Sequence, residues 1–139
     1  MKAPNIAEKW GDDVAARGFA QVPNYLLYIN QFLEDDNRFS PLEMLLLIQL
    51  VGAWWKKGEN PFPSVRTLAA RCGTSDRQVL RALAELEKAG MVKREKRREK
   101  GLIASNTYDL GPLVLKLEAV AKAFPNAYPR NTTPAGGKE

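Results

Sequence analysis

The sequence predicts a mainly α-helical fold with one small β-hairpin towards its C-terminal end. Three serines precede runs in which apolar residues have helical spacing, and a serine hydroxyl there can accept a hydrogen bond from a free amide of the first turn. These serines are Ser40, Ser64 and Ser75. Beyond the third helix, two runs with strand character, 91–96 and 102–110, flank a short charged turn.

The N-terminal part of the chain carries weaker signals. Residues 1–18 are weakly patterned, although Ile6, Trp10 and Val14 recur every four residues and permit a short helix. A further helix is predicted to begin at Asn24, whose side chain would cap it.

The strongest helix start lies at Ser40. Pro41 takes the first helical position, and Glu43 completes a capping box in which each side chain bonds the backbone amide of the other residue. The helix over 42–55 is apolar nearly all round, so we expect it at the centre of the core or against a partner chain. The two tryptophans at its end are predicted to pack rather than to stack on nucleic-acid bases.

Two helices then follow, joined by a turn at Cys72, Gly73 and Thr74. The second of them is predicted over 75–89, with Ser75 and Gln78 as another capping box. At about 100° per residue, its apolar side chains fall on one face and its first cations on the opposite face. The apolar set is Val79, Ala82, Leu83 and Leu86, and the opposite set includes Arg77, Gln78 and Arg81.

A last helix is predicted over 112–124, which ends the predicted domain of residues 19–124. The stripe from Leu113 to Phe124 has the spacing of a packing seam. It would cover the domain's own surface or pair two chains, so a homodimer through helix 113–124 or through the 42–55 helix is expected as a partner arrangement. Residues 125–139, rich in proline, glycine and polar residues, are predicted to form a disordered tail.

The composition narrows the function. The chain has no histidine and a single cysteine, Cys72, which removes histidine-assisted nucleophiles and the common zinc sites. We therefore expect no catalytic residues, no metal site and no cofactor, and we do not expect an enzyme. The longest apolar stretch is shorter than the roughly 20 residues that cross a bilayer. With no signal peptide predicted, a cytoplasmic protein is expected.

The net charge of +5 is concentrated in one segment. Residues 64–101 hold eleven basic and five acidic side chains, whereas residues 1–63 hold six basic and eight acidic ones. A positive patch beside neutral or acidic flanks is typical of a protein that binds a polyanion.

Two helices joined by a tight turn and followed by a basic hairpin form the order of a winged helix-turn-helix fold, which binds double-stranded DNA. The 75–89 helix would enter the major groove, with Arg77 and Arg81 facing guanine and Gln78 facing adenine. Other predicted DNA-binding residues precede these or lie in the hairpin, called the wing (93–101). They are Ser64, Arg66, Thr74, Ser75, Lys93, Arg94, Lys96, Arg97, Arg98 and Lys100.

Plainer explanations stay open for these cations. The wing could be only a solvated hairpin, and Arg77 and Arg81 could form ion pairs with Asp76 or Glu85. Wing charges on the backbone or in the minor groove would add affinity and salt dependence but little base discrimination.

Specific residues add a resemblance to a known family. The sequence resembles a widespread bacterial winged-helix module, found in plasmid and phage replication initiators and in GntR-type regulators. The close match covers residues 62–110, and the upstream Val22-Pro23-Asn24 and Ser40-Pro41 favour the initiator group. The matching residues are Phe62-Pro63-Ser64, Leu68-Ala69, Cys72-Gly73-Thr74-Ser75, Val79, Ala82-Leu83, Leu86 and Gly90-Met91-Val92.

The leading hypothesis is therefore a sequence-specific regulator of transcription or replication in a plasmid, phage or other mobile element. It would act in the bacterial cytoplasm and associate with the nucleoid when bound. One alternative is the origin-binding module of a replication initiator. Another is a winged helix that docks a protein partner, although the basic wing argues against it.

Overall fold

The computed structural model describes residues 5–128, except for the side chains of residues 99, 102 and 103. Within this range, α-helices precede and follow a single antiparallel hairpin. In chain order the elements are α1 (Ile6–Trp10), α2 (Asp12–Ala16), α3 (Asn24–Leu27), α4 (Pro41–Gly52), α5 (Val65–Cys72), α6 (Asp76–Lys88), β1 (Lys93–Glu99), β2 (Leu102–Asp109) and α7 (Gly111–Ala123). The predicted fold class, mainly α with a β-hairpin wing, is confirmed.

The three central helices begin where the serines predict. The Ser40 hydroxyl accepts from the Glu43 amide at 3.1 Å, and the Glu43 carboxylate accepts from the Ser40 amide at 2.9 Å, which completes the predicted capping box. Ser75 makes only half of such a box: its hydroxyl accepts from the Gln78 amide at 3.1 Å, without the reciprocal side-chain bond. The Gln78 side chain therefore does not cap α6, and it is exposed.

The core lies where α4, α5 and α6 pack against one another, below the hairpin and α7. Each fully buried leucine or valine contributes roughly 1.5–3 kcal/mol relative to an exposed one, so this junction supplies most of the stabilisation. Helix α4 lies at the centre of the core, as its sequence predicts, because its Leu46, Leu47 and Leu50 are fully buried. Other fully buried members are Leu26, Ile29, Leu68, Val79, Leu83, Leu86 and Met91.

The helix predicted from Asn24 is interrupted. Pro23 is the N-cap, α3 lasts a single turn, and a 3₁₀ turn follows over Ile29–Phe32. After the break, the Asn30 side chain bonds both backbone groups of Phe39, accepting at 2.8 Å and donating at 2.9 Å. Arg38 Nε donates to the Asn30 carbonyl at 3.0 Å. This last contact satisfies a carbonyl that a continuous helix would have bonded within itself.

The N-terminal segment adds little to the core. Its described part forms α1 and α2 on either side of Gly11, where the prediction was one short helix. Ile6, Trp10 and Val14 share the predicted spacing but stay about half exposed, at 49%, 52% and 51%.

At the other end, α7 packs on α3. Aromatic residues from the two ends meet there: the Tyr25 hydroxyl donates to the Phe124 carbonyl at 2.7 Å, and the Tyr25 and Tyr128 rings lie edge to face at 4.9 Å. Of the predicted disordered tail, residues 125–128 are thus described next to the body of the domain. Residues 129–139 lie outside the described residues, and disorder there stays a prediction.

Candidate nucleic-acid interface

The turn between α5 and α6 sets the angle between the two helices. Gly73 ends α5 with φ +70°, a left-handed conformation that glycine adopts without steric cost. The Thr74 amide then donates to the Ala69 carbonyl at 3.0 Å, which closes the end of α5. Cys72 lies half-buried just before the turn, and burial raises the pKa of its thiol.

Helix α6 has the two opposed faces that its sequence predicts. Val79, Ala82, Leu83 and Leu86 are buried against the core. Arg77, Gln78 and Arg81 are all exposed on the first turns of the helix. Neither arginine forms an ion pair within the described residues, so the predicted alternative partners, Asp76 and Glu85, do not hold them.

The residues predicted at the helix starts divide into two groups. Ser64 and Ser75 act as N-caps, and the Ser64 hydroxyl also donates to Thr67 Oγ1 at 2.9 Å. The Ser64 hydroxyl is thus fully engaged by the fold, whereas the exposed Ser75 hydroxyl accepts only from the Gln78 amide; beside them α5 and α6 present the backbone amides of their first turns. Arg66 is exposed on the first turn of α5, whereas Thr74 is half-buried in the turn.

The wing is a β-hairpin whose turn consists of two residues. Its strands pair from Lys93 with Asp109 to Glu99 with Leu102, and a register shift interrupts the ladder between Glu95 and Arg97. The turn residues are Lys100 and Gly101, with φ of 52° and 80°. Positive φ at both positions is what tight hairpin turns of the I′ type require.

The six wing cations do not have equal surroundings. Four of them are exposed and form no ion pair within the described residues: Lys93, Lys96, Arg98 and Lys100. The other two, Arg94 and Arg97, are half-buried and lie against other parts of the domain.

Arg94 is bound to Glu87 on α6. Its Nε and Nη2 donate to one carboxylate oxygen at 3.0 and 2.9 Å, and its backbone amide donates to the other oxygen at 3.2 Å. These hydrogen bonds from Arg94 hold the pKa of the Glu87 carboxyl below its ordinary value. The contact between Glu87 and Arg94 therefore joins the C-terminal end of α6 to the start of β1.

Arg97 lies over the ring of Phe62, with its guanidinium carbon 4.2 Å from the ring centre. Its Nε donates to the Ser105 carbonyl of β2 at 3.2 Å. Next to Phe62, the Pro61 carbonyl accepts from the Tyr108 amide at 2.9 Å, so the segment before α5 runs along β2. The wing is thereby attached on this side as well.

Sequence reasoning missed Glu87 and Phe62. The prolines on either side of Phe62 were a signal for its position, because they favour an extended backbone. An extended segment next to a helix start can lie beside a strand. The packing prediction is wrong for Trp55, which is 75% exposed, whereas Trp54 is half-buried with its indole Nε1 buried and unbonded.

The helix pair and its wing define the class: this is a winged helix-turn-helix domain. Residues 37–92 match the model of a family described as a helix-turn-helix domain. This match supports a bacterial DNA-binding domain, and the closer resemblance to replication initiators or GntR-type regulators stays a prediction. No curated protein matches the chain.

Two further features are absent from the described residues. No helix among them is long and apolar enough to span a bilayer. Residues 5–128 also contain no cluster of three or more cysteine, aspartate or glutamate side chains arranged to hold a metal ion.

Proposed function

We propose that the protein binds a specific sequence in double-stranded DNA, with α6 in the major groove. The observation that carries this proposal is the exposed start of α6, where Arg77 and Arg81 have no ion-pair partner among the described residues. The planar guanidinium of arginine can donate two hydrogen bonds to guanine O6 and N7. Gln78, released from capping, is suited to adenine in the same groove.

The surroundings of α6 are suited to phosphate. The amides at the starts of α5 and α6 and the exposed Arg66 would contact the backbone on either side of the groove. The exposed wing cations would add contacts at the neighbouring phosphates or in the minor groove, and these raise affinity without reading sequence.

The biological role that we propose is regulation of transcription or replication by a plasmid, phage or other mobile element. The protein would act in the cytoplasm, associate with the nucleoid when bound, and carry out no catalysis. An origin-binding role remains the alternative within DNA binding. A footprint on repeated origin sites would favour it, whereas a footprint on the protein's own promoter would favour a regulator.

A homodimer would place two α6 helices on neighbouring half-sites. Of the two helices considered for this contact, α4 has its large apolar side chains mostly in the core, whereas α7 leaves Leu115 72% exposed and Val114 40% exposed. We therefore propose α7 as the contact. Sedimentation should show a dimer that Leu115→Glu dissociates, and a monomeric wild type both free and on DNA would contradict this.

The test of DNA binding is selection from random duplexes at two salt concentrations, followed by sequencing and anisotropy titration of the selected site. Arg77→Ala/Arg81→Ala should lose the selected motif, since each base-reading contact discriminates by about 1–3 kcal/mol. The matched control is Arg17→Ala/Lys57→Ala, which removes two exposed cations outside the helix pair, the wing and α7.

Three outcomes are distinct. Loss of the motif in the α6 variant alone supports the proposal. Equal loss in the control variant would mean that only total charge matters. Absence of wild-type binding to any duplex, even at low salt, would overturn the proposal and favour a protein-docking winged helix.

A further inference from the structure

We propose that Glu87 and Phe62 are positioning residues of the wing. They hold Arg94 and Arg97, which fix the orientation of the hairpin, so that the other four wing cations keep defined positions relative to α6. This inference rests on the DNA binding proposed above, because it assigns the parts that wing cations play in that binding.

The first brace is the contact between Glu87 and Arg94. Three donors of Arg94 converge on one carboxylate at 2.9–3.2 Å, and the paired side chains are only 24% and 37% exposed. Such a fork holds a guanidinium in a defined plane, which a single flexible lysine contact would not do. Nε and Nη2 of Arg94 are therefore committed to α6, and a phosphate at these donors would have to compete with a carboxylate already in place.

The second brace is the contact between Arg97 and Phe62. The guanidinium reaches across β2, bonding the Ser105 carbonyl on the way and lying over one face of the Phe62 ring, whose side chain stays 55% exposed. Stacking of a cation on an aromatic face stabilises the geometry in which both stay in place. This contact ties β1 to the segment that leads into α5.

A hairpin of two strands needs such attachments. Two paired strands alone are marginally stable in water, and most described residues of β1 are solvent-exposed. The first brace joins β1 to α6 and the second joins it to the segment before α5, so together they restrict rotation of the hairpin about its base. The braces therefore fix where Lys93, Lys96, Arg98 and Lys100 lie relative to α6.

The decisive test is a pair of variants with the same change in charge. Glu87→Arg and Glu95→Arg each replace a carboxylate by a cation, but Glu95 is exposed on β1 and forms no ion pair among the described residues. Simple electrostatics predicts that both variants bind duplex more tightly. The brace predicts that Glu95→Arg binds more tightly while Glu87→Arg binds roughly three- to tenfold more weakly.

A charge swap completes this test. Glu87→Arg/Arg94→Glu restores an ion pair of reversed sign, and it should recover affinity to within about threefold of wild type. Amide hydrogen exchange along the β1–β2 ladder should be faster in Glu87→Arg and restored in the swap. Thermal unfolding of each variant shows whether the helix pair stays folded, and exchange in α5 and α6 serves as the internal reference.

The second brace is tested by a double-mutant cycle. Phe62→Leu keeps an apolar side chain but loses the ring, and it should weaken binding about two- to fivefold. The same substitution should have no further effect in an Arg97→Gln background. Lys96→Gln is the matched control on the same strand, and it should lower the salt dependence of binding without changing wing exchange.

The inference and the proposed function fail in different ways. Tighter binding by Glu87→Arg, or additive effects of Phe62→Leu and Arg97→Gln, would overturn the braces while leaving DNA binding intact. Absence of duplex binding by wild type would overturn the proposed function. Hydrogen exchange would still show whether the two contacts hold the hairpin.

Discussion

The turn of the wing holds a lysine in a conformation that lysine disfavours, and this makes a sharp prediction. Lys100 has φ 52° and Gly101 has φ 80°, yet only the second position is occupied by glycine. A side chain with a Cβ in the left-handed region costs roughly 1–2 kcal/mol. Lys100 is exposed at the tip, so the strain falls on a cation that the proposed function assigns to DNA contact.

Lys100→Gly should therefore move stability and binding in opposite directions. Removing the strain gains roughly 1–2 kcal/mol, and the greater freedom of glycine in the unfolded chain takes back about 0.4–1 kcal/mol. The hairpin should become more stable by up to about 1.6 kcal/mol, and by about 0.8 kcal/mol at the middle of both ranges, as the difference of these two effects. Binding should weaken, and the slope of log K against log salt should become shallower by about 0.9 if one phosphate contact is lost.

Two assays separate these effects. Amide exchange in the β1–β2 ladder reports the local stability of the hairpin, and anisotropy titrations across a salt series report the phosphate contact. Lys100→Asn is the first control, because asparagine tolerates positive φ and also lacks the charge. Gly101→Ala is the second, and it should destabilise the hairpin. Faster exchange in Lys100→Gly than in wild type, or an unchanged salt slope, would refute the reasoning.

Other predictions concern stability. Leu86→Ala should lower the free energy of unfolding by about 2–5 kcal/mol in urea titrations, because the side chain is fully buried, whereas Leu80→Ala, 47% exposed on the same helix, should change it by less than about 1 kcal/mol. Ser75→Ala should cost about 1 kcal/mol in thermal unfolding and Ser75→Asp should restore most of it, since either oxygen can cap α6. The lowered pKa of Glu87 means that its ion pair stabilises the fold above the ordinary carboxyl pKa and is lost as the pH falls through the lowered one. Urea midpoints measured down an acid series should fall less for Glu87→Gln than for wild type, and equal declines would contradict this.

The features that could be predicted from the sequence are the local ones. Ser40, Ser64 and Ser75 mark helix starts because capping depends on residues three positions apart. The faces of α6 follow from helical spacing alone, and Leu83 and Leu86 are buried as that spacing predicts. The exposed cations of the first turns follow from the same argument.

The features that could not be predicted depend on distant contacts. The early helix ends at Leu27, and Asn30 in the following turn bonds Phe39, nine residues away, a contact that no propensity of residues 24–33 signals. The packing prediction for Trp55 was wrong because α4 ends at Gly52, before the tryptophans, so their environment is set by the following turn rather than by the helix face.

The wing shows most clearly why a charge pattern and a binding surface differ. The sequence assigns all six wing cations to DNA, but the fold brings a carboxylate to Arg94 and an aromatic ring to Arg97. With about 0.9 of salt slope for each phosphate neutralised, a wing with six contacts and a wing with four differ by about 1.8 in that slope. Clustered positive charge is enough to predict a polyanion partner. Acidic and aromatic residues elsewhere in the chain determine which cations support the hairpin and which stay available at its surface. On the proposed function, they therefore set how many wing cations can reach the DNA.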